Sequence, residues 1–181
     1  MDTTVNYSLD TDIHPRLAGS RLREIVDTDR LVWTAGELRA ATGALAGTLA
    51  APLWDLVRYV PVRRWWTRLA LTPGVEVWLL SWLPGQGTEP HDHGGAAGSF
   101  AMLTGTLSET YRYPGRPVRH VDRSVGTAIG FGPGHAHVLR NSSEAPAVSV
   151  HAYSPPLVPT REYRSLNDIP AEIPPLAVLA R

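Results

Sequence analysis

The chain has 181 residues, with seventeen basic and seventeen acidic side chains and a formal net charge of zero. This length suits one domain, residues 1–181, and the charge balance gives no indication of a nucleic-acid or membrane partner. The absence of cysteine excludes disulfides, thiolate metal sites, iron–sulfur clusters and cysteine nucleophiles. Because neither a signal peptide nor a membrane-spanning apolar run is visible, we expect a cytoplasmic protein, acting as a monomer.

The first third of the chain, about residues 1–60, has the pattern of helices. Thr34 followed by Glu37 is a capping-box sequence, which marks the start of a helix. Apolar residues then recur at helical spacing, and these are Leu38, Ala41, Leu45 and Leu49. Pro52 ends this element or opens a short one.

The middle of the chain, about residues 65–156, has the pattern of strands. Two apolar runs, 65–71 and 75–82, flank Thr72-Pro73-Gly74 and predict a hairpin. Further strands are predicted near residues 98–104, 106–113, 118–122, 127–131, 137–141 and 147–153. Many short strands predict a mainly β fold, a barrel or jelly roll with N-terminal helices. The proline-rich tail, about residues 157–181, is expected to wrap irregularly over the surface.

Two histidines separated by one residue form the most informative pattern. His91 and His93 follow Pro90 in a segment that suits a strand, where alternate side chains point the same way. A third imidazole from a later strand would complete a facial set around one metal, with positions open for substrate and oxygen. The alternative is a pair of surface histidines at a strand edge.

Both histidine-containing segments match the two sequence motifs of the cupin superfamily. The matching residues are Gly85, His91, His93 and Gly105 in the first motif, and Gly126, Gly134, His137 and Asn141 in the second. This register favours His137 over His135 as the third ligand. Asp92 is expected on the opposite face of its strand, and Glu89 is a weaker alternative ligand.

Gly98 and Gly132 are departures from the usual cupin motifs, and Gly98 is the more informative. It stands where many cupins carry a glutamate ligand, whereas Gly132 replaces a usual proline. Three neutral imidazoles would leave the positive charge of the metal uncompensated. A substrate that binds as an anion, such as a thiolate, is therefore favoured.

Polar side chains on two other strands suggest a substrate side to this site. Arg68 could clamp a substrate carboxylate with its planar guanidinium, or it could be a solvated strand charge. Ser149, His151 and Tyr153 alternate along one apolar strand and therefore share a face. If buried they need partners, which a Ser–His–Tyr relay would supply; the alternative is an ordinary polar outer face.

Together these residues resemble the cysteine dioxygenase family of thiol dioxygenases over about residues 65–156. The matching segments are His-Asp-His at 91–93, Leu-Thr-Gly-Thr-Leu-Ser-Glu-Thr at 103–110, His137 with Asn141, and Pro-Ala-Val-Ser-Val-His-Ala-Tyr-Ser-Pro-Pro at 146–156. The resemblance implies a mononuclear Fe(II) held by His91, His93 and His137, with Arg68 at the position of the carboxylate-binding arginine. It also implies a small thiol substrate and O2 as the partners, with both oxygen atoms passing to sulfur to give a sulfinate.

Two residues depart from that family pattern. Gly98 stands where animal members carry a cysteine that crosslinks to the active-site tyrosine, so Tyr153 cannot carry a thioether. Trp66 stands where the family often has a tyrosine, two residues before the arginine.

The resulting hypothesis is an Fe(II)-dependent thiol dioxygenase on a single cupin domain, with L-cysteine as the favoured substrate. One alternative is a dioxygenase for another thiol such as 3-mercaptopropionate. The related branch that prefers this thiol tends to carry glutamine at the corresponding position, so Arg68 favours cysteine. The other alternative is a non-oxygenase cupin, either an isomerase or a metal-dependent binding module.

Overall fold

The computed structural model describes residues 11–156 and 160–173 of the chain. Predictions for residues 1–10, 157–159 and 174–181 lie outside the described residues. Apart from a two-residue strand at Asp12–Ile13, the α-helices precede the strands, which confirms the predicted mainly β fold with N-terminal helices. In the described part of the chain, no helix is long and apolar enough to cross a membrane.

The N-terminal part contains three short to medium helices. They are α1 (Leu22–Val26), α2 (Ala35–Thr48) and α3 (Ala50–Trp54). The predicted capping box is present at the start of α2, where the Glu37 carboxylate accepts from the backbone N–H of Thr34 at 2.8 Å. Single 3₁₀ turns occur at Pro15–Leu17 and Leu166–Asp168.

Nine strands form two antiparallel sheets in the described residues. The strands are β1 (Asp12–Ile13), β2 (Trp65–Leu71), β3 (Glu76–Trp82), β4 (Ala97–Thr104), β5 (Thr106–Arg112), β6 (Arg119–Ser124), β7 (Ala128–Phe131), β8 (Ala136–Arg140) and β9 (Ala147–Ser154). The larger sheet has the order β1-β2-β3-β9-β4-β7, and the smaller has the order β6-β5-β8. A shared apolar cluster with residues from both sheets joins them into a barrel.

Helix α2 packs against one face of the larger sheet. Leu38 and Leu45 of the helix lie in one core cluster with Val148 and Val150 of β9. Because side chains alternate along a strand, the intervening residues of β9 are directed to the other face, between the two sheets. All eight residues of β9 are buried, so this strand has apolar contacts on one face and polar contacts on the other.

The described part of the C-terminal tail runs beside the segment that carries His91. The backbone N–H of Asp92 donates to the carbonyl of Arg161 at 3.0 Å, and the N–H of Tyr163 donates to the carbonyl of Pro90 at 2.8 Å. The tail therefore supports the first histidine segment from outside the barrel.

Candidate metal centre

A loop between β3 and β4, residues 83–96, carries the first two histidines. The buried Asn141 holds its start, since its backbone N–H donates to the carbonyl of Gln86 at 2.9 Å. His91 and His137 of β8 exchange two backbone hydrogen bonds, at 3.1 and 2.9 Å. The sequence predicted a strand here; the segment forms isolated bridges instead of a regular strand.

The predicted ligands His91, His93 and His137 meet at one point of the barrel. Their ring centroids are 5.2, 4.8 and 5.0 Å apart, and one ring nitrogen of each lies within 4.8 Å of the others. The Nδ1–H of His91 donates to the carbonyl of Glu89, and that of His137 donates to the Glu109 carboxylate, both at 2.8 Å. Both rings therefore keep Nε2 free for a metal.

Burial keeps these imidazoles neutral, which is the form that binds metal. Desolvation, helped by the neighbouring imidazoles, holds the pKa of His93 well below its usual value. Desolvation also lowers the pKa of His137 to about 3, although its hydrogen bond to Glu109 acts in the opposite direction. Both ring nitrogens of His93 are buried, and neither has a hydrogen-bond partner among the described residues. A metal ligated by His93 would satisfy one of them, so the residues fit a metal.

Glu109 and His135 lie beside this set, and the sequence reasoning missed Glu109. The Glu109 carboxylate accepts from Nε2–H of His135 at 3.0 Å as well as from His137. These three residues also group as candidate metal ligands. The available signal was the strand period, which places Glu109 on the same face of β5 as the buried Leu107.

The two other carboxylates near the histidines do not point at the centre. Asp92 is buried and accepts from the backbone N–H of Gly94 at 2.6 Å and from the Tyr163 hydroxyl at 2.5 Å. It therefore bonds the loop and the tail, as expected for the opposite face. Glu89 meets His91 through its backbone carbonyl.

Ser149, His151 and Tyr153 form a directed hydrogen-bond chain inside the barrel. The Nε1–H of Trp82, which can only donate, lies 2.9 Å from the Ser149 hydroxyl. Ser149 Oγ lies 2.8 Å from Nε2 of His151, and Nδ1 of His151 lies 3.3 Å from the Tyr153 hydroxyl. In the tautomer with the proton on Nδ1, His151 accepts from Ser149 and donates to Tyr153, and the Tyr153 proton stays available to a further acceptor.

The ionisation of this chain agrees with its direction. Burial holds the pKa of His151 well below its usual value, so the ring carries one proton at neutral pH. Burial raises the pKa of Tyr153, so its hydroxyl stays protonated. The Tyr153 ring stacks on His93 with centroids 5.1 Å apart, which joins the chain to the histidine set.

A cavity of about 260 Å³ opens beside Tyr153. Its lining consists of Arg64, Trp66, Trp78, Leu80 and Tyr153. This volume is below the range typical of sites for drug-sized ligands and suits a smaller molecule. Trp66 and Trp78 of this lining meet edge to face, with ring centroids 5.1 Å apart.

The structure does not bring Arg68 into this cavity. Its guanidinium instead pairs with Asp12 at 3.1 Å and with Glu76 at 3.4 Å. Arg64, four residues earlier, lines the cavity with its guanidinium carbon 4.9 Å from the Trp82 ring centroid. Carboxylate partners satisfy Arg68 already, so the geometry favours Arg64 as the cation that faces a substrate.

Arg64 is a partly buried cation without a carboxylate partner among the described residues. Burial lowers its pKa, yet a guanidinium stays charged in proteins. It donates to the carbonyl of Gly87 at 3.0 Å, while its buried Nε has no hydrogen-bond partner among the described residues. No carboxylate in the described part of the chain forms an ion pair with it.

Gly98 explains why the site has neither a glutamate ligand nor a crosslink. A Cβ atom at this position would overlap the ring of Phe131 and would lie 3.0 Å from Cδ1 of Tyr153. The Phe131 ring thus occupies the space that a longer side chain at position 98 would need. Three imidazoles without a ligating carboxylate follow directly from this packing.

Known proteins resemble the chain in fold and in sequence. The family model described as cysteine dioxygenase type I matches residues 52–165. A Klebsiella pneumoniae protein with a double-stranded β-helix domain is 19% identical, with 62% of this chain and 95% of that one covered and a TM-score of 0.52. The protein TT1209 from Thermus thermophilus is 25% identical over 57% of this chain and 94% of that one, with a TM-score of 0.50. No curated protein matches.

These findings confirm the predicted cupin-type barrel, which is the double-stranded β-helix fold. The matched segment contains all three clustered histidines, the Ser149–His151–Tyr153 chain and both arginines. It also spans more than half of the chain. The protein therefore belongs to the cysteine dioxygenase type I family.

Proposed function

We propose that this protein is an Fe(II)-dependent thiol dioxygenase that converts a small thiol bearing a carboxylate, with L-cysteine as the favoured substrate, into its sulfinic acid. The observation that carries the proposal is the contact between the three-histidine set and Tyr153, which stacks on His93. Bound iron would supply adjacent open positions at which a thiolate and O2 meet. Both oxygen atoms end on sulfur (RSH + O2 → RSO2H), so no external reductant is required.

The charges around the cavity suit such a substrate. The three clustered imidazoles are neutral ligands, and they therefore favour a substrate that coordinates as an anion. Arg64 adds a second cation at the cavity wall, positioned for the carboxylate of the same molecule. A thiol that carries one carboxylate satisfies both centres at once, because each cation then meets an anion in a site of low dielectric constant.

Tyr153 is proposed as the hydrogen-bond donor to the substrate or to oxygen. With the His151 proton on Nδ1, the chain from Trp82 through Ser149 and His151 leaves the Tyr153 proton free and fixes the orientation of the hydroxyl. A pre-oriented donor needs no reorganisation when negative charge develops, which is the basis of its contribution to a transition state. Ser149 and His151 act through Tyr153 and are positioning residues.

The test is anaerobic iron loading followed by oxygen uptake and sulfinate analysis over a panel of small thiols. The proposal expects one sulfinate per O2 consumed, with L-cysteine used better than 3-mercaptopropionate and much better than cysteamine. Preference for 3-mercaptopropionate would keep the dioxygenase and change the substrate. No sulfinate with any thiol after full loading would favour a non-oxygenase cupin. We also propose that the protein is cytoplasmic and monomeric. Size-exclusion chromatography of the iron-loaded protein tests the oligomeric state.

A further inference from the structure

Glu109 is a fully buried carboxylate that contacts the histidine set through hydrogen bonds. Its Oε1 accepts ring N–H groups from His137 at 2.8 Å and from His135 at 3.0 Å. Its Oε2 accepts from the Arg123 guanidinium, at 2.8 Å from Nε and 2.7 Å from Nη2. Four donors on two oxygens leave no place for a proton, so the group is an ionised carboxylate.

The contact with His137 determines what this ring can offer a metal. Because Oε1 of Glu109 takes Nδ1–H, the ring must present Nε2, and it cannot rotate without losing the bond. A carboxylate in this position also makes the imidazole a stronger ligand. Glu109 thus fixes both the tautomer and the orientation of one of the three proposed ligands.

The packing at Gly98 gives Glu109 a second consequence. The Phe131 ring occupies the space of a glutamate side chain at position 98, so a metal held by the three histidines would have no carboxylate ligand from this position. Glu109 instead supplies a negative charge behind the His137 ring, to which it is hydrogen-bonded. Arg123 holds the carboxylate from the far side, and its side chain is 18% exposed whereas that of Glu109 is fully buried.

We propose that Glu109, held in place by Arg123, is a positioning residue for His137, and that it sets the affinity and the reduction potential of the metal centre in place of the missing glutamate ligand. This inference rests on the metal-binding part of the proposed function and does not require that the substrate be a thiol.

A second metal between Glu109, His135 and His137 is the competing interpretation. The ligand atoms of these three residues lie within 4.8 Å of one another. Hydrogen bonds between the carboxylate and both rings account for that proximity. The Arg123 guanidinium, bound to the same carboxylate, would also repel a second cation.

Metal binding by matched variants tests the proposal. Glu109→Gln removes the charge at nearly constant shape, but it leaves Arg123 without its partner. The double variant Glu109→Gln with Arg123→Gln removes both charges and so avoids a partly buried unpaired cation. Asp122→Asn is the control, because Asp122 bonds the Ser108 hydroxyl on the exposed side of the same strand pair. Each metal-free variant is first checked for folding by circular dichroism.

The expected result is Fe(II) affinity about 10- to 100-fold weaker for Glu109→Gln, with a more positive ferric/ferrous potential. The double variant should also bind iron more weakly, although its potential should shift less because no net charge is lost. Asp122→Asn should match the parent in both. Affinity and potential equal to the parent in both Glu109 variants would overturn the proposal, and so would two metals per chain in the parent.

The two proposals fail in different ways in this experiment. A parent that binds one iron in a Glu109-dependent manner but oxidises no thiol supports the role of Glu109 and refutes the dioxygenase. If the parent oxidises cysteine and the Glu109 variants bind iron as tightly as the parent does, the dioxygenase is supported and the role of Glu109 is refuted. A parent that binds no divalent metal overturns both.

Discussion

Replacing Arg64 with alanine should selectively impair thiols that carry a carboxylate. The guanidinium lines the cavity, and no described carboxylate pairs with it. A substrate carboxylate would therefore be its ion-pair partner. Removing it leaves that carboxylate in a partly enclosed cavity without a counter-charge.

The size of the effect follows from the burial of Arg64. Breaking a fully desolvated, hydrogen-bonded charge pair costs about 2–5 kcal/mol. Arg64 is only partly buried, so the lower end of about 2–3 kcal/mol applies. At 1.36 kcal/mol per decade, kcat/KM for L-cysteine should fall by about 30- to 150-fold. Arg64→Lys should recover part of this loss, because lysine keeps the charge but not the planar fork.

Arg68→Ala is the matched control, four residues away in sequence. Its guanidinium pairs with Asp12 and Glu76, so its loss should lower stability by about 1 kcal/mol and leave kcat/KM for L-cysteine nearly unchanged. Cysteamine, which lacks the carboxylate, should respond little to either variant. The reasoning is refuted if Arg68→Ala shows the selective loss instead, or if Arg64→Ala impairs both thiols equally.

Three further predictions test other parts of the site. Tyr153→Phe should lower turnover by about 10²- to 10³-fold, as for loss of an oriented donor, or reduce sulfinate formed per O2 with iron content intact; parent-like values of both would make the relay structural. Burial lowers the pKa of His151. As pH falls below about 6.5, this imidazole is therefore protonated in the unfolded chain but stays neutral in the folded one. The metal-free protein should therefore lose about 1.4 kcal/mol of stability per pH unit from this residue. When the free energy of unfolding from urea titrations is plotted against pH, His151→Asn should show a correspondingly weaker pH dependence than the parent; equal pH dependence in the two proteins contradicts this. Gly98→Ala should destabilise the fold by about 1–3 kcal/mol through overlap with Phe131, and Phe131→Leu should relieve it; an unchanged urea midpoint in Gly98→Ala would count against the overlap.

Local periodicity was sufficient to predict the elements that depend on it. The capping box at Thr34 and Glu37 is a short-range pattern, and it starts α2 as predicted. The alternation of Ser149, His151 and Tyr153 along β9 predicted one polar face, and their hydrogen bonds join them on that face. In both cases the spacing of the residues along the chain is sufficient to predict which side chains lie close together.

The remaining features depend on distances across the barrel. Arg64 immediately precedes β2 and Arg68 lies within it, an even number of residues apart, so strand alternation alone cannot separate them. Four residues of strand displace the two side chains by about 13 Å, and only the packed sheets determine which one reaches the cavity. For Glu109, the strand period predicts only that the side chain shares the buried face of β5 with Leu107. Its role depends on His135, His137 and Arg123, which other segments of the chain place beside it.

The pairing of the C-terminal segment with the His91 loop has a consequence for biosynthesis. Asp92 is held by the Tyr163 hydroxyl and by the backbone of Arg161, both of which follow the nine described strands in sequence. A nascent polypeptide can complete the barrel before this segment leaves the ribosome, but the ligand loop is then still without its outer support. We therefore expect the proposed metal to be bound after translation, once this segment supports the loop.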